Sequence, residues 1–115
     1  MSDNKMRKLA KPSRINRPIL TNEQIEKHNK ICTKLNEIYK QKNQKYGDSF
    51  GISVKKYGLI SALTRISDKF NRFEQIVLEG SDGTNDERLL DTCLDAANYF
   101  IMTAMEIDNG KETTN

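Results

Sequence analysis

The sequence predicts an all-α protein with three main helices per chain, assembled as an oligomeric helical bundle. Three observations support this. Apolar residues recur at intervals of three and four along each long segment, as a buried helical stripe requires. Glycine-rich breaks, QKYGDSFG and SDGTND, divide those segments. Nothing reads as a strand.

The first helix begins after residue 20. Thr21 followed by Gln24 makes a capping box, and Leu20 with Ile25 makes a hydrophobic staple. Ile25, Ile31, Cys32, Leu35, Ile38 and Tyr39 share one face, and the helix is expected to reach about Gln44. QKYGDSFG then forms a loop, with a short turn expected at Ser53 to Tyr57. The second helix is LISALTRISDKFNRFEQIVLEG, whose inner stripe reads as Leu59, Leu63, Ile66, Phe70, Phe73 and Val77, with Gly80 as C-cap. Thr84 or Asn85 starts the third helix, and Asp86 and Glu87 suit its positive end. It runs through ERLLDTCLDAANYFIMTAMEI and frays into DNGKETTN. The expected organisation is a basic flexible or extended arm over 1–20, a helical domain over 21–108 and a polar tail over 109–115.

Composition bounds the partners. The 115 residues carry a net charge of +3, yet Lys5, Arg7, Lys8, Lys11, Arg14 and Arg17 face only Asp3 in the first twenty, so the remaining body is close to neutral. Such an arm suits a solubilising role, a partner subunit or nucleic acid held through its phosphates. No apolar run approaches the ~18 residues of a bilayer span and no signal-peptide h-region follows the basic start, so a cytoplasmic protein without membrane contact is expected. Cys32 and Cys93 read as small core residues. His28 reads as a packed or surface residue, and Met102 and Met105 as core. The third helix is apolar around most of its circumference. One neighbour cannot cover it, which implies a homo-oligomer, a dimer or higher.

The chemistry concentrates in three segments. In RISDKFNR, Arg65, Asp68 and Arg72 fall on the side opposite the apolar stripe, with Lys69 at its border. In LLDTCLDAANYFIMTAM, Asp91, Asp95 and Asn98 recur at four and three on one line, amid apolar neighbours. A half-buried carboxylate there must be paired, hydrogen-bonded or metal-bound. Two readings stand: a salt bridge from Arg65 or Arg72 to Asp95, or a groove where carboxylates hold Mg²⁺ while Arg and Lys hold phosphate. In KYGDSF, Gly47 allows a sharp turn and Asp48 caps the next segment or reaches a metal. Lys45 and the Lys55–Lys56 pair suit phosphates, and Tyr46, Phe50 and Tyr57 suit a stacked base.

KYGDSF, YGLISALTRISDKFNR and LLDTCLDAANYFIM together resemble the nucleotide modification associated domain, a small phage and bacterial family. The resemblance spans roughly residues 42–107. That family is in turn distantly similar to the all-α nucleoside triphosphate pyrophosphohydrolases of the MazG and dimeric dUTPase type. What the resemblance implies is a nucleotide ligand, Asp91 and Asp95 as the acidic pair of one motif helix, and Asp68 as the acidic residue of the other. Those three would hold Mg²⁺, while Lys45, Arg65, Lys69, Arg72 and Asn98 would meet the ligand and its phosphates. This chain departs from the enzymes where their first motif helix carries two or three glutamates, because Arg65, Lys69 and Arg72 surround a single Asp68. Three functions follow: Mg²⁺-dependent hydrolysis of a nucleotide pyrophosphate linkage, sequestration of a nucleotide or nucleotide-derived signal without hydrolysis, and nucleic-acid binding through residues 1–20.

Overall fold

The computed structural model describes residues 21–80 and 85–114. Among them lie four α-helices and no strand: α1 (Asn22–Tyr46), α2 (Ser49–Tyr57), α3 (Leu59–Leu78) and α4 (Asn85–Thr114). The basic arm, Leu20 of the staple, Thr84 and the turn at 81–84 lie outside the described residues. No described helix is long and apolar enough to cross a membrane.

The additional helix is α2, where the sequence predicts a loop and a short turn. Two local devices explain it. The Asp48 carboxylate accepts a hydrogen bond from the Gly51 backbone N–H at 3.1 Å, capping the first turn. Gly58 ends the helix at φ 82°, with its N–H donating to the Val54 carbonyl at 2.7 Å. A β-carbon on Gly51 would stand 2.7 Å from Asp48 Oδ1, so the cap and the small residue depend on each other. At the other end of the chain, α4 continues through residues 109–114, where the sequence predicts a frayed tail. Extending a formed helix costs far less than starting one, and Lys111 and Glu112 are good helix formers.

Residues up to Lys34 and residues from Leu35 onward separate into two compact units. In the first, every described side chain is exposed, Ile25 and Ile31 included. The Gln24 N–H donates to Thr21 Oγ1 at 3.2 Å, which supplies one arm of the expected capping box. His28 is a surface residue whose Nδ1 lies 3.7 Å from Cys32 Sγ, one turn on. Cys32 is exposed and free, not a core residue.

In the second unit α3 and α4 pack along each other, and α2 packs on both. The buried apolar side chains are Leu35, Val54, Ala62, Ile76 and Leu94, with Gly51, Thr92 and Asn98 buried beside them. This differs from the expected core of α3. Leu59, Leu63, Phe70, Phe73 and Val77 are all exposed, and Ile66 is half-buried. The helix instead buries Ala62 and Ile76 and half-buries Lys69, at a spacing of seven. The reason lies in the partner. Lys69 reaches Asp95 of α4, and the two uncharged side chains a heptad away on either side are buried. Cys93 is likewise exposed on α4.

Ile76, at 1% exposure, is the largest fully buried side chain. Truncating it to alanine removes three carbons from a small core whose neighbours relax only in part. Ile76→Ala is expected to lower unfolding stability by about 2–4 kcal/mol, measured by urea denaturation.

Candidate functional site

The turn between α1 and α2 builds one wall of a cavity. Gly47 takes φ 70°, a left-handed conformation that any β-carbon would strain, and its N–H donates to the Asn43 carbonyl at 2.7 Å. Asp48 is committed to capping α2, as above. The turn therefore places Phe50 against α4, where its ring meets Tyr99 at 5.5 Å between centroids, tilted by 54°. Tyr39, Lys42, Asn43 and Tyr46 line a second wall from α1, at the three- and four-residue spacing of one helical side. Asp95, Asn98, Tyr99 and Met102 line a third from α4, and Ser49 completes the turn. The cavity is partly open to solvent and has a volume of about 150 Å³, comparable to an apolar cavity that holds a single benzene ring.

Charge in the cavity wall centres on Asp95. Its Oδ2 accepts from Lys69 Nζ at 2.7 Å and its Oδ1 from Lys42 Nζ at 3.1 Å. One carboxylate thereby ties together α1, α3 and α4. Burial pushes the Asp95 carboxyl up, but the hydrogen bonds from Lys69 and Lys42 and their positive charges outweigh it, and the group lies below the ordinary carboxylate value of 3.8. The Lys69 ammonium also stands 5.8 Å from the centre of the Tyr99 ring, a cation–π contact that a half-buried lysine strengthens. One turn along α4, Asn98 is buried and its Nδ2 donates to the Leu35 carbonyl at 3.1 Å.

The structure brings together some of the residues singled out from the sequence and separates others. Asp95, Asn98, Tyr46, Gly47, Asp48 and Phe50 line the cavity, with Lys69 bonded to its wall. Lys45 stands beside it, its ammonium 5.7 Å from the Tyr46 ring. Arg65, Asp68 and Arg72 are exposed on α3, and Asp91 is exposed on α4. Neither arginine pairs with Asp95, so the expected salt bridge is not formed; Lys69 and Lys42 hold the carboxylate instead. Tyr57 is exposed, with the Lys56 ammonium 5.6 Å from its ring. Sequence reasoning passed over Tyr39, Lys42, Asn43, Tyr99 and Met102. The signal was the recurrence of Tyr39, Asn43 and Tyr46 on the side of α1 that also carries Lys42.

The carboxylates do not fit a Mg²⁺ ion within one chain. Both oxygens of Asp95 already accept from lysines. Among the described residues, no three His, Cys, Asp or Glu side chains group closely enough to share a metal. What remains is a ring-sized aromatic cavity with a neutralised carboxylate, a buried amide and cations at its edge. It can take a flat ring with polar edges, with an anionic substituent reaching toward the lysines. No protein-family model, curated protein or solved structure matches the chain, so the functional reading rests on the arrangement of its own residues.

Proposed function

We propose that the protein binds a nucleotide or nucleotide-derived small molecule and holds it without cleaving it. The observation that carries this reading is the aromatic cavity of about 150 Å³ with the Lys42–Asp95–Lys69 cluster in its wall. One nucleobase fills such a volume. Tyr39, Tyr46, Phe50 and Tyr99 supply ring faces for it, and stacking of this kind contributes about 1–3 kcal/mol per base. The Asp95 oxygen held by Lys42 accepts from an exocyclic amine or ring N–H at the base edge once that lysine turns to the phosphate. Lys42 is more than half exposed even while bonded to Asp95, so a phosphate at the mouth competes for it at little cost. Lys45, next to it, adds a second cation. Sequestration is favoured over hydrolysis because Asp68, Asp91 and Asp95 form no metal-sized group in the chain. The partners in this reading are the nucleotide and a second copy of the chain.

Calorimetric titration with a panel of nucleoside mono-, di- and triphosphates, with and without Mg²⁺, tests the proposal. Binding is expected without metal, with the ligand recovered intact by chromatography after denaturation. Tyr99→Ala is expected to weaken it roughly 10–100-fold through lost stacking. Conversion of any nucleotide to a monophosphate and pyrophosphate would replace this reading with the hydrolase one. Absence of binding across the panel would remove both.

A further inference from the structure

Residues 21–34, the first half of α1, bury none of their side chains, so their helical form rests on contacts one turn apart. A helix shorter than about 15 residues is marginal in water by itself. Thr21 caps the start through the Gln24 N–H, and Glu23 and Lys27 form an ion pair at 3.8 Å across four residues. The third contact is of another kind. His28 Nδ1 and Cys32 Sγ lie 3.7 Å apart, again across four residues, and both side chains are open to solvent. His28 is the chain's only histidine. Neither residue lines the aromatic cavity, so the pair stands apart from the functional proposal.

An imidazole nitrogen and a cysteine sulfur are donors that zinc-class metals favour. Zn–N bonds of about 2.0–2.1 Å and Zn–S bonds of about 2.3 Å, at a tetrahedral angle, set nitrogen and sulfur about 3.6 Å apart. The observed 3.7 Å matches that edge. The same separation suits a thiol donating to an imidazole, so a metal ion would take the place of one proton. The surroundings admit a cation. At 100° per residue, Lys27, Lys30 and Lys34 lie about 120–180° around α1 from the midpoint of the pair. Ile25, exposed, lies about 40° from that midpoint and gives the site an apolar flank. No third His, Cys, Asp or Glu joins the pair among the described residues, so water takes the remaining positions.

The geometry points to His28 and Cys32 as a two-donor site for a thiophilic divalent metal ion of the zinc class. Cys32 enters as the thiolate and gives its proton to solvent, while His28 enters as the neutral imidazole through Nδ1. Both bonds are dative from the side chains, so nothing is oxidised or reduced. Mg²⁺ is a poor occupant, because it takes oxygen donors. The bound ion joins two residues one turn apart and staples the exposed half of α1. Only the helical form holds the two donors together, so binding stabilises that form over the unwound one.

Titration of the reduced full-length chain with Co²⁺, a coloured substitute for Zn²⁺, tests the site. A sulfur-to-cobalt charge-transfer band is expected in the near ultraviolet, saturating at one ion per chain and lost when Zn²⁺ is added. Cys32→Ser is expected to abolish the band, and His28→Ala to weaken binding at least about tenfold. Cys93→Ser, at the other free thiol, is expected to change neither. All three positions are exposed, so the fold is expected to survive each substitution. Zn²⁺ is also expected to slow amide hydrogen exchange over residues 25–34 in the wild type and not in the His28→Ala variant. Saturation at one ion per two chains, with a second copy's pair replacing the water, supports the same two ligands. No band in excess Co²⁺, a band that survives Cys32→Ser or requires Cys93, or an affinity indifferent to His28→Ala overturns the inference. Metal binding that leaves amide exchange unchanged overturns the staple.

Discussion

Asn98→Asp is expected to lower stability by about 3–5 kcal/mol at neutral pH, read from urea denaturation, a large share of the total for a chain of this size. The side chain is 8% exposed and its Nδ2 donates to the Leu35 carbonyl. Aspartate keeps the shape and reverses the chemistry. A carboxylate oxygen would face a carbonyl oxygen with no proton between them, at a position largely shielded from bulk water. Asp95, three residues back on the same helix, adds like-charge repulsion. Asn98→Ala separates the two contributions, because it removes the donor without installing a charge and is expected to cost only about 1–3 kcal/mol. The aspartate variant should also regain stability as pH falls from neutral toward the ordinary carboxylate value, since the buried carboxyl takes up its proton above that value and can then donate where the amide did. If the two variants are equally stable at neutral pH, the installed charge adds nothing to the loss of the donor.

Asp95→Asn is the second large effect, and pH reports it. In the folded protein the Asp95 carboxyl lies below its ordinary value, so the unfolded chain binds this proton more readily than the folded one. The contribution is fully present above the unfolded value near 3.8 and is lost as pH falls through the lower, folded value. Wild-type stability should therefore drop on acidification below about pH 4. The asparagine variant should show a shallower drop over that window, on top of a loss of about 1–3 kcal/mol at pH 7. Most of that loss belongs to the Lys69 arm, whose two side chains are about three-quarters covered. The Lys42 arm is more than half exposed on the lysine side and counts for less. An unchanged acid limb in the variant would assign acid sensitivity to other carboxylates.

The helical class and most boundaries were readable because they depend on local chemistry. Thr21, Gly80 and the periodicity of each long segment act within a turn or two of themselves. The α2 helix was missed because Asp48, although readable as a cap, sits in a glycine-containing stretch that also reads as loop, and the hydrogen bond from the Gly51 N–H shows where its cap acts. The inner side of α3 was misread for a different reason. A heptad seam shows that a helical side is apolar, not that it turns inward within the chain. Ala62, Lys69 and Ile76, the side turned inward within the chain, include a charge and a methyl group and carry little hydrophobic weight. In the site, the three sequence segments did converge around Asp95, since an acid within an apolar helix needs a partner. Which cation answers depends on tertiary geometry. Lys69 stands four residues beyond Arg65 and three before Arg72, a difference of rotation that the sequence alone leaves open. Lys42 comes from a helix whose position relative to α4 no local pattern encodes.

Gly58 joins α2 to α3 with a single residue, at φ 82° and ψ −172°, a region of backbone space open to glycine almost alone. Nothing lies within 4 Å of where its β-carbon would stand, so the demand is one of torsion and not of room. A joint this short has no slack to absorb a change in chain length. One inserted residue would turn the whole of α3 by about 100°, carrying Lys69 out of reach of Asp95 and presenting a different row of side chains to its surroundings. The number of residues at this corner, as much as their identity, determines which side of α3 looks inward.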